Sequence, residues 1–267
     1  MKRVTNLFLC LLLLCPALAM GSDFSYTHYE SLLKRNVKTA AKMDGITVNA
    51  VDYASLARDV KKPDSDYSLL LKELAAFDPA TLKSREEKIA FWVNVYNIAA
   101  MKTIVDHYPV ESIRSKKINW RGVPWNRKAI TVGGKEYSLG EIENDILLGT
   151  FKDLRIHFGI NCASVSCADL RPEPYRPAVL FKQLEEQGRM LLADPKKGMR
   201  IDREKKTVYL SQIFKFDKKH FDVLGGGALK FILPYLKPAE KEIIQGGDFK
   251  VDYLDYDWKA NDTKNAR

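Results

Sequence analysis

Two cysteines and a histidine crowd one short stretch of this chain, Arg155-Ile-His-Phe-Gly-Ile-Asn-Cys-Ala-Ser-Val-Ser-Cys167. A thiol beside a histidine, with a carboxylate or amide to orient the ring, is the arrangement that activates a nucleophile for acyl transfer. In that reading Cys162 is the nucleophile and His157 the base, and Glu143 or Asn97 orients the imidazole. Unpaired backbone amides at a turn after Cys162 would lower the thiol pKa and cradle an oxyanion. Asn161, Ser164 and Ser166 could add donors. Trp120 and Trp125 could line a groove for a sugar or peptide, or simply close the edge of the core.

Spacing limits these readings. If residues 157 to 161 are extended, the Cα atoms of His157 and Cys162 lie about 16 Å apart, beyond direct contact. A direct dyad therefore requires a sharp bend, or a histidine from elsewhere such as His107 or His220. The same two cysteines could equally form a structural disulfide, the usual state of a thiol pair in an exported protein. Were residues 162–167 one helix, the Cα atoms would stand more than about 7 Å apart, outside bridging range. A Cys162–Cys167 bridge thus needs a turned loop. A zinc site from His157, Cys162 and Cys167 lacks a C-x-x-C knuckle and a fourth ligand, so no metal and no other cofactor is expected.

The cysteine count depends on the amino terminus. Lys2 and Arg3, the apolar run Leu7 to Leu14 and Ala17-Leu18-Ala19 read as a signal peptide cut after Ala19. The run is too short to span a bilayer. Cys15 follows a large residue, Leu14, which argues against lipidation. Removing residues 1–19 takes away Cys10 and Cys15 and leaves a formal charge of about +7. The expected location is periplasmic or extracellular. The basic excess is spread over Lys/Glu-rich stretches such as Lys237 to Glu242. Nucleic acid is not an expected partner, and membrane contact is at most weak and peripheral. A cell-envelope peptide or polymer is the natural candidate, and the oligomeric state is not readable.

The elements that must hold these residues read as follows. Phe24 to Met43 has loose helical spacing, and Ile46 to Tyr53 alternates as a strand. A helix follows over Tyr67 to Phe77. Ser84 and Glu87 form a capping box that opens a helix over residues 85–107, which Tyr108-Pro109 ends. Between Ile89 and Met101 only Asn94 and Asn97 are polar, so this helix is buried and its amides need partners. Gly133-Gly134 joins Ala129–Val132 to Lys135–Ser138 as a hairpin. Ser138 and Glu141 cap a further helix that carries Glu143 and ends near Gly149. Arg155 to Ile160 is expected as a strand, Ala178 to Leu192 as a helix, and Met199–Ile201 with Thr207–Leu210 as a second hairpin. A helix falls around Phe214–Phe221, Val251 to Trp258 is a terminal strand, and the polar tail from Lys259 should fray. Helices and strands do not alternate, which indicates an α+β single domain with a buried central helix, a small antiparallel sheet with hairpins and an N-terminal helical extension.

Several of these segments resemble the domain-of-unknown-function family numbered 547. They are Phe91-Trp92-Val93-Asn94-Val95-Tyr96-Asn97, Ile142-Glu143, the run from His157 to Cys167, and Tyr256-Asp257-Trp258. The resemblance covers roughly Asp44 to Trp258, between a 20–43 helical segment and a 259–267 tail. It implies an exported bacterial protein and places His, Asn, Cys and Ser in one signature, while fixing no activity. The chain departs from the family pattern at Ala168-Asp169, where proline usually follows the cysteine, and at Gly159, where alanine is usual. Two functions stay open: a thiol-dependent hydrolase or acyl transferase on a peptide or cell-envelope substrate, and a non-catalytic envelope binding or structural module stapled by Cys162–Cys167.

Overall fold

The computed structural model describes residues 24–121 and 123–266; the signal peptide read over residues 1–19 lies outside them. The fold is organised by its longest helix. Helix α1 (Thr27–Asn36) leads into a hairpin of β1 (Val37–Met43) and β2 (Ile46–Val51), then α2 (Tyr53–Asp59), α3 (Asp66–Ala76) and α4 (Arg85–Val105). The capping box of α4 is present, with Ser84 Oγ accepting from the Glu87 amide and the Glu87 carboxylate accepting from the Ser84 amide. From Ile89 to Met101 every residue of α4 is buried. A helix apolar all round has no solvent face, so the other elements pack about it. The main core accordingly joins α1, α2, α3 and α4 into one cluster, with Phe24, Phe77 and Phe91 in aromatic contact.

The amino-terminal segment corrects the sequence reading. The helix stops at Asn36, and residues 37–43 form β1, paired antiparallel with β2. The turn is Asp44-Gly45, both at positive φ, a two-residue hairpin signal of the same kind as Gly133-Gly134. A partner strand two residues away outweighs loose helical spacing.

After α4 come β3 (Lys128–Val132) and β4 (Lys135–Ser138), joined at Gly133-Gly134 as the sequence indicates. Glu141–Phe151 is a π-helix, opened by reciprocal hydrogen bonds between Ser138 and Glu141. Residues 155–160 are not a strand. Ile156–Gly159 forms a single helical turn, α5, and only Ile160 is extended. A short apolar run fits a strand or a buried helical turn equally well, and here tertiary packing decides. Next are α6 (Leu180–Ala193), β5 (Met199–Asp202), β6 (Thr207–Leu210), α7 (Ile213–Phe216), α8 (Lys218–Gly225), α9 (Ala228–Ile232), α10 (Pro238–Gln245) and β7 (Lys250–Tyr253). The last sheet has the order β5-β6-β7, with β7 parallel to β6. Only Lys250–Tyr253 of the expected terminal strand is regular. About half of the chain is helical, and the whole is α+β.

The segment beyond β7 does not fray. Ala260, Asn261 and Asp262 are buried. They run as a strap across the cysteine loop: Val165 and Ser166 donate to the carbonyls of Lys259 and Asp257, and Asn261 donates to that of Ala163. The cysteine loop is thereby held between α4 and the strap.

Both departures from the family pattern have a structural role. At Gly159 a Cβ would lie 2.6 Å from Leu184 Cδ2, so glycine lets α6 close onto α5. Asp169 accepts from the Asn49 amide of β2 at 3.0 Å and pairs both carboxylate oxygens with Lys197 at 2.8 Å. Lys197 is only 2% exposed. Removing one partner of such a pair leaves a buried, uncompensated charge. Lys197→Met should therefore cost about 3–5 kcal/mol in urea unfolding; a loss below 1 kcal/mol would show that the pair is dispensable.

Candidate functional site

The irregular chain between α5 and the cysteine loop crosses the core, where its backbone groups need partners. Asn97 of α4 supplies two: its amide nitrogen donates to the Gly159 carbonyl at 2.9 Å, and its oxygen accepts from the Asn161 amide at 2.7 Å. Asn94, one turn earlier, clamps both backbone groups of Tyr175 in the same manner. Asn97 therefore meets the cysteine loop directly, whereas Asn94 anchors the segment that leads to α6. Asn161 then folds the loop. Its nitrogen donates to the Ala168 carbonyl at 2.6 Å and its oxygen accepts from the Ala163 amide at 2.9 Å. Ala163 is left-handed, at φ 59°, and Cys167 closes a turn on the Ser164 carbonyl at 3.3 Å. The bend expected from spacing is thus present between His157 and Cys167.

Five sequence candidates thereby meet at one cavity of about 120 Å³. Its walls include Cys162, Cys167, His157 and Glu143, closed by the rings of Tyr96, Trp125, Phe216, Tyr256 and Trp258. Cys162 and Cys167 are buried free thiols. The Cys162 sulfur meets Ser164 Oγ at 3.0 Å and Tyr256 Oη at 3.2 Å, and those two hydroxyls lie 3.0 Å apart. A hydrogen bond from Cys167, then those from Ser164 and Tyr256, hold the Cys162 thiol below its ordinary value against the opposing effect of burial. Cys167 moves the other way, since its hydrogen bond to Cys162 and its burial both favour the protonated form. Cys162 gives up its proton first and Cys167 retains its own.

Of the expected donors, Ser164 stands beside the sulfur and the backbone amides do not. The Cys162 amide donates to Cys167 Sγ at 3.1 Å and the Ala163 amide to Asn161 Oδ1, so neither is left unpaired. Side-chain hydroxyls take the role that spacing assigned to backbone N–H groups. Ser166 faces the strap instead, with its Oγ accepting from the Asp257 amide at 2.9 Å.

His157 is 4% exposed, and its Nε2 lies 2.7 Å from Asp217 Oδ2. Asp217 Oδ1 in turn lies 2.5 Å from His220 Nδ1. Burial pushes the Asp217 carboxyl up, but the hydrogen bonds from the two histidines outweigh it and hold the carboxyl below its usual range. With Nε2–H donating to a carboxylate, Nδ1 is the basic nitrogen. Asp217 is therefore the orienter that sequence reading missed. The sequence signals only its local pair, Asp217-Lys-Lys-His220, with the acid at the junction before a helix and the histidine three residues on. Among the described residues no hydrogen bond joins His157 to Cys162, although both line the same cavity.

Among the described residues no hydrogen bond joins Glu143 to the imidazole. Its Oε2 accepts from the Tyr96 hydroxyl at 3.1 Å, and Trp125 Nε1 donates to that hydroxyl at 3.2 Å. Burial pushes the Glu143 carboxyl up, opposed by the charge of His157 and the Tyr96 hydrogen bond. The π-helix places Glu143 and Asn144 at the cavity, in keeping with the frequent use of i→i+5 turns at functional sites. Trp120, by contrast, is 74% exposed, stacks with Arg121 and lies outside the cavity. His107 pairs with the Thr103 carbonyl and Arg127, beside a different pocket.

Residues 79–192 match the family model described as protein of unknown function, DUF547. Over that span the chain is similar to this family, in keeping with the resemblance read from its motifs. The DUF547 span contributes Tyr96, Trp125, Glu143, His157 and both cysteines, while Asp217, Phe216, Tyr256 and Trp258 come from beyond it. No curated protein and no solved structure matches the chain.

Two measurements probe this site. Tyr256→Phe removes a donor to the sulfur, so the Cys162 pKa should rise and iodoacetamide alkylation near neutral pH should slow several-fold; an unchanged pH–rate profile would deny Tyr256 that role. For Glu143 the folded state holds its proton more tightly than the unfolded chain, so stability falls as pH rises from the ordinary carboxylate value through the raised one. Glu143→Gln should flatten that fall, measured by urea unfolding at mildly acidic and at neutral pH.

Proposed function

We propose that the protein is an exported, thiol-dependent acyl transferase or hydrolase with Cys162 as its nucleophile. The single observation that carries this reading is the convergence of an activated Cys162 and an Asp217-oriented His157 on one aromatic-walled cavity. Export rests on the signal-peptide pattern of residues 1–19.

The Cys162 thiolate would attack the carbonyl carbon of an amide or ester and form a tetrahedral adduct. The hydroxyls of Ser164 and Tyr256, already beside the sulfur, are the nearest donors to developing oxyanion charge. His157, as imidazolium stabilised by Asp217, would protonate the leaving amine or alkoxide, and then deprotonate water or an acceptor to release the acyl group. Among the described residues no lysine or arginine lines the cavity, and the His157 imidazolium is already paired with Asp217, so little positive charge is left for a carboxylate or phosphate. Its rings suit a neutral or cationic substrate that presents apolar surface, and a cell-envelope peptide meets that description.

The reading is tested with an activated ester such as p-nitrophenyl acetate on the folded, reduced protein. The expected result is a burst of nitrophenol, with the acetyl group on Cys162 by peptide mass mapping and none on Cys162→Ala. His157→Asn should slow the chemical step by about 10²–10⁴-fold, the usual contribution of a general acid–base. A wild-type protein that never acylates, in which Cys162 is already bonded to Cys167 as isolated, would favour the non-catalytic envelope module.

A further inference from the structure

Beyond acyl transfer, the cysteine loop holds both parts of a thiol redox couple. The Cys162 amide lies 3.1 Å from Cys167 Sγ, and the Cys167 thiol also reaches the Ile160 carbonyl at 3.7 Å. The left-handed Ala163, the two Asn161 hydrogen bonds and the Cys167-to-Ser164 turn have already folded the loop back on itself. Linking the sulfurs therefore requires no unfolding of the loop, which is the condition a disulfide imposes on its two ends.

The two sulfurs are not equivalent. The hydroxyls of Ser164 and Tyr256 reach the Cys162 sulfur. An oxidant that enters the cavity meets Cys162 as the thiolate-prone partner, with Cys167 beside it on the same wall as a protonated neighbour. Burial then selects the oxidant. Cys162 is 6% exposed and Cys167 5%, at a cavity of about 120 Å³. A hydrogen peroxide molecule fits that space, whereas a disulfide fixed on the surface of a folded protein reaches so buried a sulfur less readily than a small oxidant or a flexible chain does.

We propose that Cys162 and Cys167 form a peroxide-oxidised redox pair, in which Cys162 is oxidised first and Cys167 resolves it into a disulfide. The Cys162 thiolate attacks one oxygen of hydrogen peroxide and the O–O bond breaks. Cys162 becomes a sulfenic acid, and the departing hydroxide takes up a proton as water. The Cys167 sulfur, its proton released, then attacks the sulfenic sulfur. The S–S bond forms, the S–O bond breaks, and the oxygen leaves as a second water. Two thiols have lost two electrons and peroxide has gained them. The pair requires only that Cys162 ionises, so it does not rest on the acyl-transfer reading. Where that reading also holds, the disulfide removes its nucleophile.

The test is intact-mass and peptide mapping of the folded, reduced full chain after brief exposure to hydrogen peroxide. The expected wild-type product is two hydrogens lighter, with Cys162 linked to Cys167 and no dimedone adduct. Cys167→Ser should instead accumulate a dimedone-reactive sulfenic acid at Cys162, and Cys162→Ser should leave Cys167 at least about tenfold less reactive. A wild-type protein in which Cys162 proceeds to sulfinic acid while Cys167 still alkylates would overturn the proposal, as would two thiols that both survive peroxide. Those wild-type readouts decide the matter even if a variant fails to fold. Reaction with dithiobis(nitrobenzoate) as fast as with peroxide would overturn the selection by size. Failure of p-nitrophenyl acetate to acylate Cys162 while the disulfide forms would remove only the acyl-transfer reading.

Discussion

The constraint on which this structure turns is the need to satisfy backbone polar groups where the chain crosses its own core without regular structure. Between α5 and the cysteine loop, N–H and C=O groups lie where neither water nor a neighbouring strand can reach them. One side chain, Asn97, meets that need on both sides of Ile160, with its oxygen and nitrogen facing an amide and a carbonyl two residues apart. An amide group is the side chain that can do both at once, since a carboxylate lacks the donor and a hydroxyl is too short to span them. The rigid helix that carries Asn97 thereby fixes where the loop lies, and the loop fixes where the sulfurs lie. A site built this way takes its precision from a helix although its reactive atoms sit on a loop.

Such an arrangement distributes the chemistry over distant parts of the chain. The thiol comes from the loop and its hydroxyl partner from the strap, separated by 94 residues. The imidazole comes from a four-residue helical turn, and its carboxylate from the junction of α7 and α8, 60 residues further on. The aromatic lid of Phe216, Tyr256 and Trp258 is held by ring contacts of 4.4–5.8 Å among its members. The DUF547 match ends before any of these late contributors.

Sequence reasoning reached the local features and lost the long-range ones. The capping box of α4, its unbroken apolar surface and the two amides that demand partners were all legible, because each is a pattern within a few residues. So was the Gly133-Gly134 turn. The Asp44-Gly45 turn carried the same signal and was passed over in favour of a loose helical period. Arg155 to Ile160 was misread because a short apolar run satisfies a buried strand and a buried helical turn alike. Trp120 and Trp125 looked equivalent, yet packing half-buries one against Tyr96 and leaves the other in solvent. Asp217 could not be assigned to His157 from spacing, since nothing local links residues 60 apart.

The strap has a consequence in time. A chain grows from its amino terminus, and Cys162, with its turned loop and its amide anchors, can be in place well before Tyr256 and Ala260 exist. Closing a contact across that separation carries the entropy of a long loop and belongs to the late part of folding. Until then the sulfur lacks its Tyr256 partner and the cavity lacks two of its walls. The Cys162 sulfur thus gains its Tyr256 partner through the same event that encloses it.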